Sequence, residues 1–224
     1  LPARQGSRPL ILNADAVTAP RLRAAGFWPL VTPVTLAILP LGPEAQMRAA
    51  LLQKWRNRLN RASEAALRLD WYDLRKDPDH WLLQAEAAQQ VQRGYRGWPL
   101  QFVRAFAEAN PGKARLLVAR LQRKPVAAAL FLCHGAMVTY QIGHSLPEGR
   151  RLNAMNLILW EAMRSLARRG HALLDLGVLN GQDAPGLMHF KLGTGAQATP
   201  QGGTWLYHRA LAPLARHLPA QLAR

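Results

Sequence analysis

Between residues 114 and 143 the chain runs through three apolar, β-rich segments in quick succession, 114–121, 126–133 and 137–143. The breaks between them, 122–124 and 134–135, are short enough for hairpins. An antiparallel meander is therefore expected. Residues 150–169 then turn helical, with Leu152, Leu159, Met163 and Leu166 on one side and Gly170 as the stop. Residues 171–176 read as a buried strand. A meander followed by one long helix and a parallel strand gives a mixed, mostly antiparallel central sheet flanked by helices, an α/β (α+β) fold.

The flanks fit that frame. Residues 67–72 alternate like a strand, Asp77-Pro78 opens a helix running to about Gln92, and residues 99–109 form another before Asn110-Pro111-Gly112. From Leu67 the expected order is β-α-α-β-β-β-α-β-short α-β, with 204–207 as the last strand. Upstream, residues 44–66 read as one amphipathic helix with Met47, Leu51, Trp55, Leu59, Ala62 and Ala66 on its apolar stripe. Its other faces carry Arg48, Lys54, Arg56, Arg58 and Arg61. Residues 10–12 read as a strand and 20–25 as a short helix stopped by Gly26. Residues 31–41 form an edge or irregular strand, broken by Pro33 and Pro40. The tail, 210–224, has leucines at helical spacing and is expected to pack as a short terminal helix.

A formal net charge of +16 over 224 residues comes almost wholly from Arg, since Lys occurs only at positions 54, 76, 113, 124 and 191. Such a surface attracts polyanions: RNA, nucleotide phosphates, anionic lipid or acidic peptides. Cys133, the single cysteine, lies in an apolar run and allows no disulfide framework, which points to a reducing, cytoplasmic setting. No apolar run approaches the roughly 18–20 residues that span a bilayer. The chain opens on Leu1 rather than Met, so further sequence is expected upstream.

Lysine is rarely buried without a partner, so Lys191, beside Phe190 within the glycine-bounded stretch 186–193, reads as a charge aimed at a ligand. Asp175, at the end of the preceding strand, is placed to orient an amine or Lys191, or simply to cap a turn. His144, just after the meander, is a candidate base near neutral pH. Asn153 and Asn156 either cap the long helix or touch a ligand. Arg150 and Arg151, at the expected start of that helix, oppose its dipole unless an anion binds there. Arg56, Arg58 and Arg61 form a candidate phosphate-facing patch. No cluster has metal-ligand spacing.

Five segments in order carry a resemblance. They are Lys54-Trp55-Arg56-Asn57-Arg58-Leu59, Lys124-Pro125-Val126-Ala127-Ala128, the run from Leu152 through Asn153 and Asn156 to Trp160, Asp175-Leu176-Gly177, and Phe190-Lys191-Leu192-Gly193. Together the chain resembles the Gcn5-related N-acetyltransferase (GNAT) superfamily, and within it the FemAB-like, peptidoglycan bridge-forming aminoacyltransferase branch. The resemblance implies a GNAT-like sheet in a domain at 67–208, a helical tail at 209–224, and at 1–66 the remnant of a second, incomplete GNAT-like domain with its linking helix. It implies an N-acyltransferase that binds no cofactor of its own and takes an acyl or aminoacyl group from acyl-CoA or aminoacyl-tRNA to an amine the residues do not identify. Lys191 becomes the functional lysine near the acyl ester and donor phosphate. The junction 143–151 lacks the glycine loop that binds the CoA pyrophosphate in typical members, which weakens the acetyl-CoA donor. The competing expectation is a non-catalytic, basic nucleic-acid-binding module on a degenerate transferase fold.

Overall fold

The computed structural model describes residues 9–95 and 97–215. In chain order these form β1 (Leu10–Asp15), α1 (Ala19–Ala24), β2 (Trp28–Val31), β3 (Thr35–Pro40), α2 (Glu44–Ala50), α3 (Gln53–Glu64) and β4 (Leu67–Asp73). There follow α4 (Trp81–Arg93), α5 (Leu100–Ala109), β5 (Ala114–Leu121), β6 (Lys124–His134), β7 (Met137–Ser145), α6 (Pro147–Arg151) and α7 (Ala154–Arg168). β8 (Leu173–Val178), α8 (Pro185–Leu192), β9 (Gln197–Tyr207) and α9 (Ala212–Ala215) complete the order. The chain forms two compact units, one from residues 37–197 and one from its two ends.

In the larger unit the strands lie in the order β3-β8-β7-β6-β5-β4. β4 through β7 are antiparallel neighbours, and β8 joins β7 in parallel. This is the expected meander, helix and returning strand. β5 and β6 are buried on both faces, which explains their nearly unbroken apolar runs. Leu117, Ala129 and Phe131 face a core built with α3 and α7, where Trp55, Leu59, Ile158 and Met163 sit. Leu116, Val118, Ala128 and Leu130 face a second core with Leu82, Leu83 and Val103 of α4 and α5. In the other unit β9 pairs antiparallel with both β1 and β2.

Three helices differ from expectation. The helix expected over 44–66 is two, because Leu51 turns extended and becomes buried while the Leu52 amide donates to the Gly193 carbonyl at 3.0 Å. Arg56 closes the end of α2, its guanidinium donating to the Leu51 carbonyl at 3.0 Å. The helix expected from Asp77 starts at Trp81 after a short 3₁₀ turn, with the His80 ring accepting from the Leu82 amide. The long helix also divides, into α6 and α7, at Asn153, which takes the left-handed conformation (φ 53°). The domain boundary expected after residue 66 falls within the larger unit, since α3 supplies Trp55 and Leu59 to its core. Of the tail expected to be helical, residues 212–215 are helical and 216–224 lie outside the described residues. Among the described residues no helix is long and apolar enough to cross a membrane.

Candidate active site

The site begins with a fault in the sheet. One step along β6, from Leu130 to Phe131, is matched by two along β7, from Ile142 to Tyr140. Gln141 is the extra residue, a β-bulge that reverses which face the following side chains occupy. Tyr140 packs with Phe131 toward the α7 face, whereas Ile142 belongs to the α4 core. β7 and β8 pair only from Met137 to Thr139 against Leu173 to Asp175. Beyond that they no longer pair, and β8 turns to other partners: the Gly177 amide donates to Asp175 and the Val178 carbonyl accepts from Lys191.

A cleft of about 390 Å³ opens there. One wall is Tyr140 to Gly143 of β7, another is Leu176 to Val178 of β8. Glu86 and Gln89 of α4 and Tyr95 and Trp98 beyond it form a third, and α8 contributes Leu187 and Lys191.

Lys191 is 7 % exposed. Its Nζ donates to the Val178 carbonyl at 2.8 Å, using one of three hydrogens. Burial lowers its pKa from the usual lysine value, and Asp175 opposes that shift. The Asp175 carboxylate accepts from the Gly177 amide at 2.7 Å, which fixes the turn under the lysine. Gly177 has φ 81°, and a side chain there would stand against Nζ. Across the cleft, burial pushes the Tyr140 phenol well above its ordinary range, so it keeps its proton. Its hydroxyl lies where a Cβ of residue 143 would be, and only glycine leaves that room. The site thus offers a buried ammonium and a neutral phenol, the phenol donating weakly to Met155 Sδ at 3.7 Å, where β7 and β8 part. Such donors can stabilise a developing oxyanion or protonate a leaving group.

The other expected site residues are dispersed. His144 falls on the α4 face, edge-on to Trp81 at 6.1 Å, and is not among the residues lining the cleft. Burial, then Arg150, lowers its pKa. Phe190 turns away from the cleft to pack, tilted, against Trp55 at 6.2 Å between ring centres, and with Lys54, Arg58 and His189 lines a second hollow of about 360 Å³. Arg56 is engaged by the end of α2, while Arg58 and Arg61 are exposed. Arg150 and Arg151 sit in the last turn of α6, where a helix dipole favours cations, so the conflict expected there does not arise. Arg151 also pairs with Glu148 at 2.6 Å. Asn153 occupies the N-cap position of α7 without a side-chain capping bond, and Asn156 is 4 % exposed with its amide nitrogen unpartnered among the described residues. Neither caps by its side chain, and neither lines the cleft. Among the described residues no group of His, Cys, Asp and Glu could hold a metal ion.

Residues 49–192 match the family model of the acetyltransferase (GNAT) domain. The chain belongs to the GNAT family. No curated protein matches it in sequence. Among solved structures it resembles FemX, with a TM-score of 0.74 at 14 % identity, covering 94 % of this chain and 74 % of that one. It also resembles the C-terminal (DUF2156) domain of an Agrobacterium fabrum protein described as a lysylphosphatidylglycerol synthetase, with a TM-score of 0.58 at 15 % identity, covering 92 % and 70 %. L-PGS from Bacillus licheniformis gives 0.54 at 11 % identity, covering 95 % and 72 %. The fold is thus GNAT-like and of the FemAB-like, FemX kind, and the family membership makes the protein acyltransferase-like.

Of the residues this GNAT chain brings to the cleft, the sequence marks Lys191, with Asp175 behind it, and gives no mark to Glu86, Tyr95, Tyr140 and Gln141. The bulge at Gln141 leaves no mark on the apolar alternation of β7. Glu86 reads as an ordinary polar position on α4. The one available signal was Gly143, a glycine inside a strand, which often marks close approach of another group.

Proposed function

We propose that the protein is an N-acyltransferase that moves an acyl or aminoacyl group from an ester or thioester donor to an amine held in the β7–β8 cleft. One observation carries this reading: a buried lysine ammonium faces the cleft with one carbonyl partner and an aspartate behind it. The neutral amine attacks the acyl carbonyl and the remaining Lys191 hydrogens meet the oxyanion; as the bond to the departing oxygen or sulfur breaks, the Tyr140 phenol passes it a proton and takes back the one lost by the new ammonium nitrogen. Asp175 acts through Lys191 by keeping it charged. An open cleft reaching Lys191 favours an enzyme over a non-catalytic nucleic-acid-binding module.

For the donor, the amides at the β7–α7 junction bear on the choice. Those of Leu146, Arg150, Leu152 and Asn153 are bound to backbone carbonyls of the chain itself. They are therefore not available to a CoA pyrophosphate in the usual GNAT manner. Lys54, Arg58 and His189, on the far side of α8 from the cleft, provide an alternative phosphate site, with Arg61 further along α3. This supports an aminoacyl-tRNA donor over acyl-CoA, as does the kinship in fold with a protein described as a lysylphosphatidylglycerol synthetase. We place the reaction in the cytoplasm, where the free, buried Cys133 would stay reduced. We also read residues 1–66 as carrying part of a neighbouring GNAT-like domain.

The test is to offer the purified protein acetyl-CoA and aminoacyl-tRNA with a panel of amines. Transfer should fall by several hundredfold, about the loss of one oxyanion donor, in Lys191→Ala with little change in melting temperature. Undiminished turnover in that variant would remove Lys191 from the mechanism. Saturable RNA binding without transfer from either donor would move the protein to the binding-module reading.

A further inference from the structure

Among the described residues lining the cleft, two side chains carry formal charge: Lys191 on α8 and Glu86 on α4. They do not pair with each other. Lys191 donates to Val178 and is supported by Asp175, and Glu86 makes its own bonds on another wall. Glu86 Oε1 accepts from the Tyr95 hydroxyl at 2.9 Å and from Gln90 Nε2 at 2.9 Å. The same Tyr95 hydroxyl accepts from Gln89 Nε2 at 3.2 Å, so the phenol is fixed from both sides. Burial, then Glu86, raises the Tyr95 pKa and keeps that phenol a donor. One carboxylate oxygen is therefore held by two donors, while Oε2 has no partner among the described residues. Glu86 also contributes to raising the pKa of Tyr140, which places its charge within electrostatic reach of the phenol across the cleft. Tyr95 and Trp98 add aromatic surface beside it, with Trp98 61 % exposed.

A half-satisfied carboxylate flanked by aromatic rings recognises a cation. The attacking amine is a poor occupant, because it must be neutral with its lone pair free. The amine that stays protonated throughout is one borne by the acyl group itself. We propose that Glu86, oriented by Tyr95 and Gln90, is the receptor for a protonated α-amino group, so that the cleft selects aminoacyl donors over simple acyl donors. The inference rests on the N-acyltransferase reading of the same cleft and gives it a specificity determinant. The charges suit such a group: cationic nitrogen toward Glu86, developing oxyanion toward Lys191.

The test measures binding rather than turnover. L-alaninamide and N-acetyl-L-alaninamide would be titrated into the full chain by NMR. The free amine should bind about tenfold more tightly, the scale of one charge-assisted hydrogen bond. Glu86→Gln should erase that preference, and Tyr95→Phe, which releases one orienting bond, should reduce it. Equal binding of the two probes by the wild type, or a preference that survives in Glu86→Gln, overturns the proposal. Should Glu86→Gln not fold, Tyr95→Phe decides, and an undiminished preference there also overturns it. In transfer assays the substitution should slow aminoacyl donors more than acetyl donors. An equal loss for both would make Glu86 a base for the acceptor and overturn the proposal. A protein that shows the binding preference yet transfers from no donor would fail the acyltransferase reading and leave the ammonium site standing.

Discussion

Lys191 is held at a thermodynamic disadvantage. Burial lowers its pKa below 10.5, and Asp175 offsets only part of that. The unfolded chain therefore keeps this proton to higher pH than the folded one. Between the lowered folded value and the ordinary value, the unfolded state binds more protons and stability rises with pH. Below that window both states are protonated and the burial cost is carried in full. Lys191→Met is accordingly expected to abolish transfer while leaving the melting temperature unchanged or higher at pH 7. It should also flatten the rise in stability toward pH 10, measured by thermal unfolding across that range. A second residue-scale expectation concerns Gly143, whose missing side chain is the space the Tyr140 hydroxyl occupies. Gly143→Ala should lower kcat by displacing the phenol. The double variant with Tyr140→Phe should then be no slower than the worse single variant, because neighbours acting through one group are not additive. Additive losses would show that Gly143 acts elsewhere.

At the scale of elements, α3 is the piece that ties the site helix to the core. Trp55 is 3 % exposed, packs against Phe190, and lies where any side chain at Gly193 would collide with it. Trp55→Ala should cost about 3–5 kcal/mol in denaturant unfolding, the usual range for a buried aromatic. An unchanged midpoint would mean that α3 does not pack as described. The turn between α2 and α3 depends on Arg56, which satisfies the Leu51 carbonyl at 3.0 Å and approaches that of Ala49 at 3.4 Å. Arg56→Ala should cost on the order of 1 kcal/mol, the net worth of such a bond. It should also leave any salt-dependent polyanion binding intact, since this arginine faces the chain rather than solvent.

For the molecule as a whole, the question is whether +16 of charge acts as a diffuse field or through a groove. Arg58 and Lys54 line one hollow with His189, and among the described residues neither cation has an acidic partner. Charge reversal of Arg58 and Arg61 to Glu should weaken RNA binding more than the same reversal at Arg216 and Arg224, which lie outside the described residues. The wild-type affinity should fall with salt at a log–log slope of roughly −0.7 per phosphate neutralised on a single strand. Equal losses in the two double variants would mean that the charge acts only as a field.

The amino-acid sequence by itself determined the order of elements from Leu67 onward, because hairpin-length breaks and apolar periodicity are local properties. It also singled out Lys191 and Asp175, since a lysine in an apolar, glycine-bounded stretch and an acid at a strand end are conflicts visible in one dimension. It could not place helix breaks such as Leu51 and Asn153, where burial and a distant carbonyl override local helical preference. Nor could it separate Arg56, turned onto a helix end, from Arg58, left open to solvent, because both carry the same charge on the same helix. Only the tertiary structure decided which strand edge stays unpaired, and that edge depends on one extra residue, Gln141, opposite a regular strand. That shift sends His144 to the α4 face and Tyr140 into the cleft, which Glu86, far earlier in the chain, also lines. Pairings over such separations follow from sheet register, which no local pattern encodes.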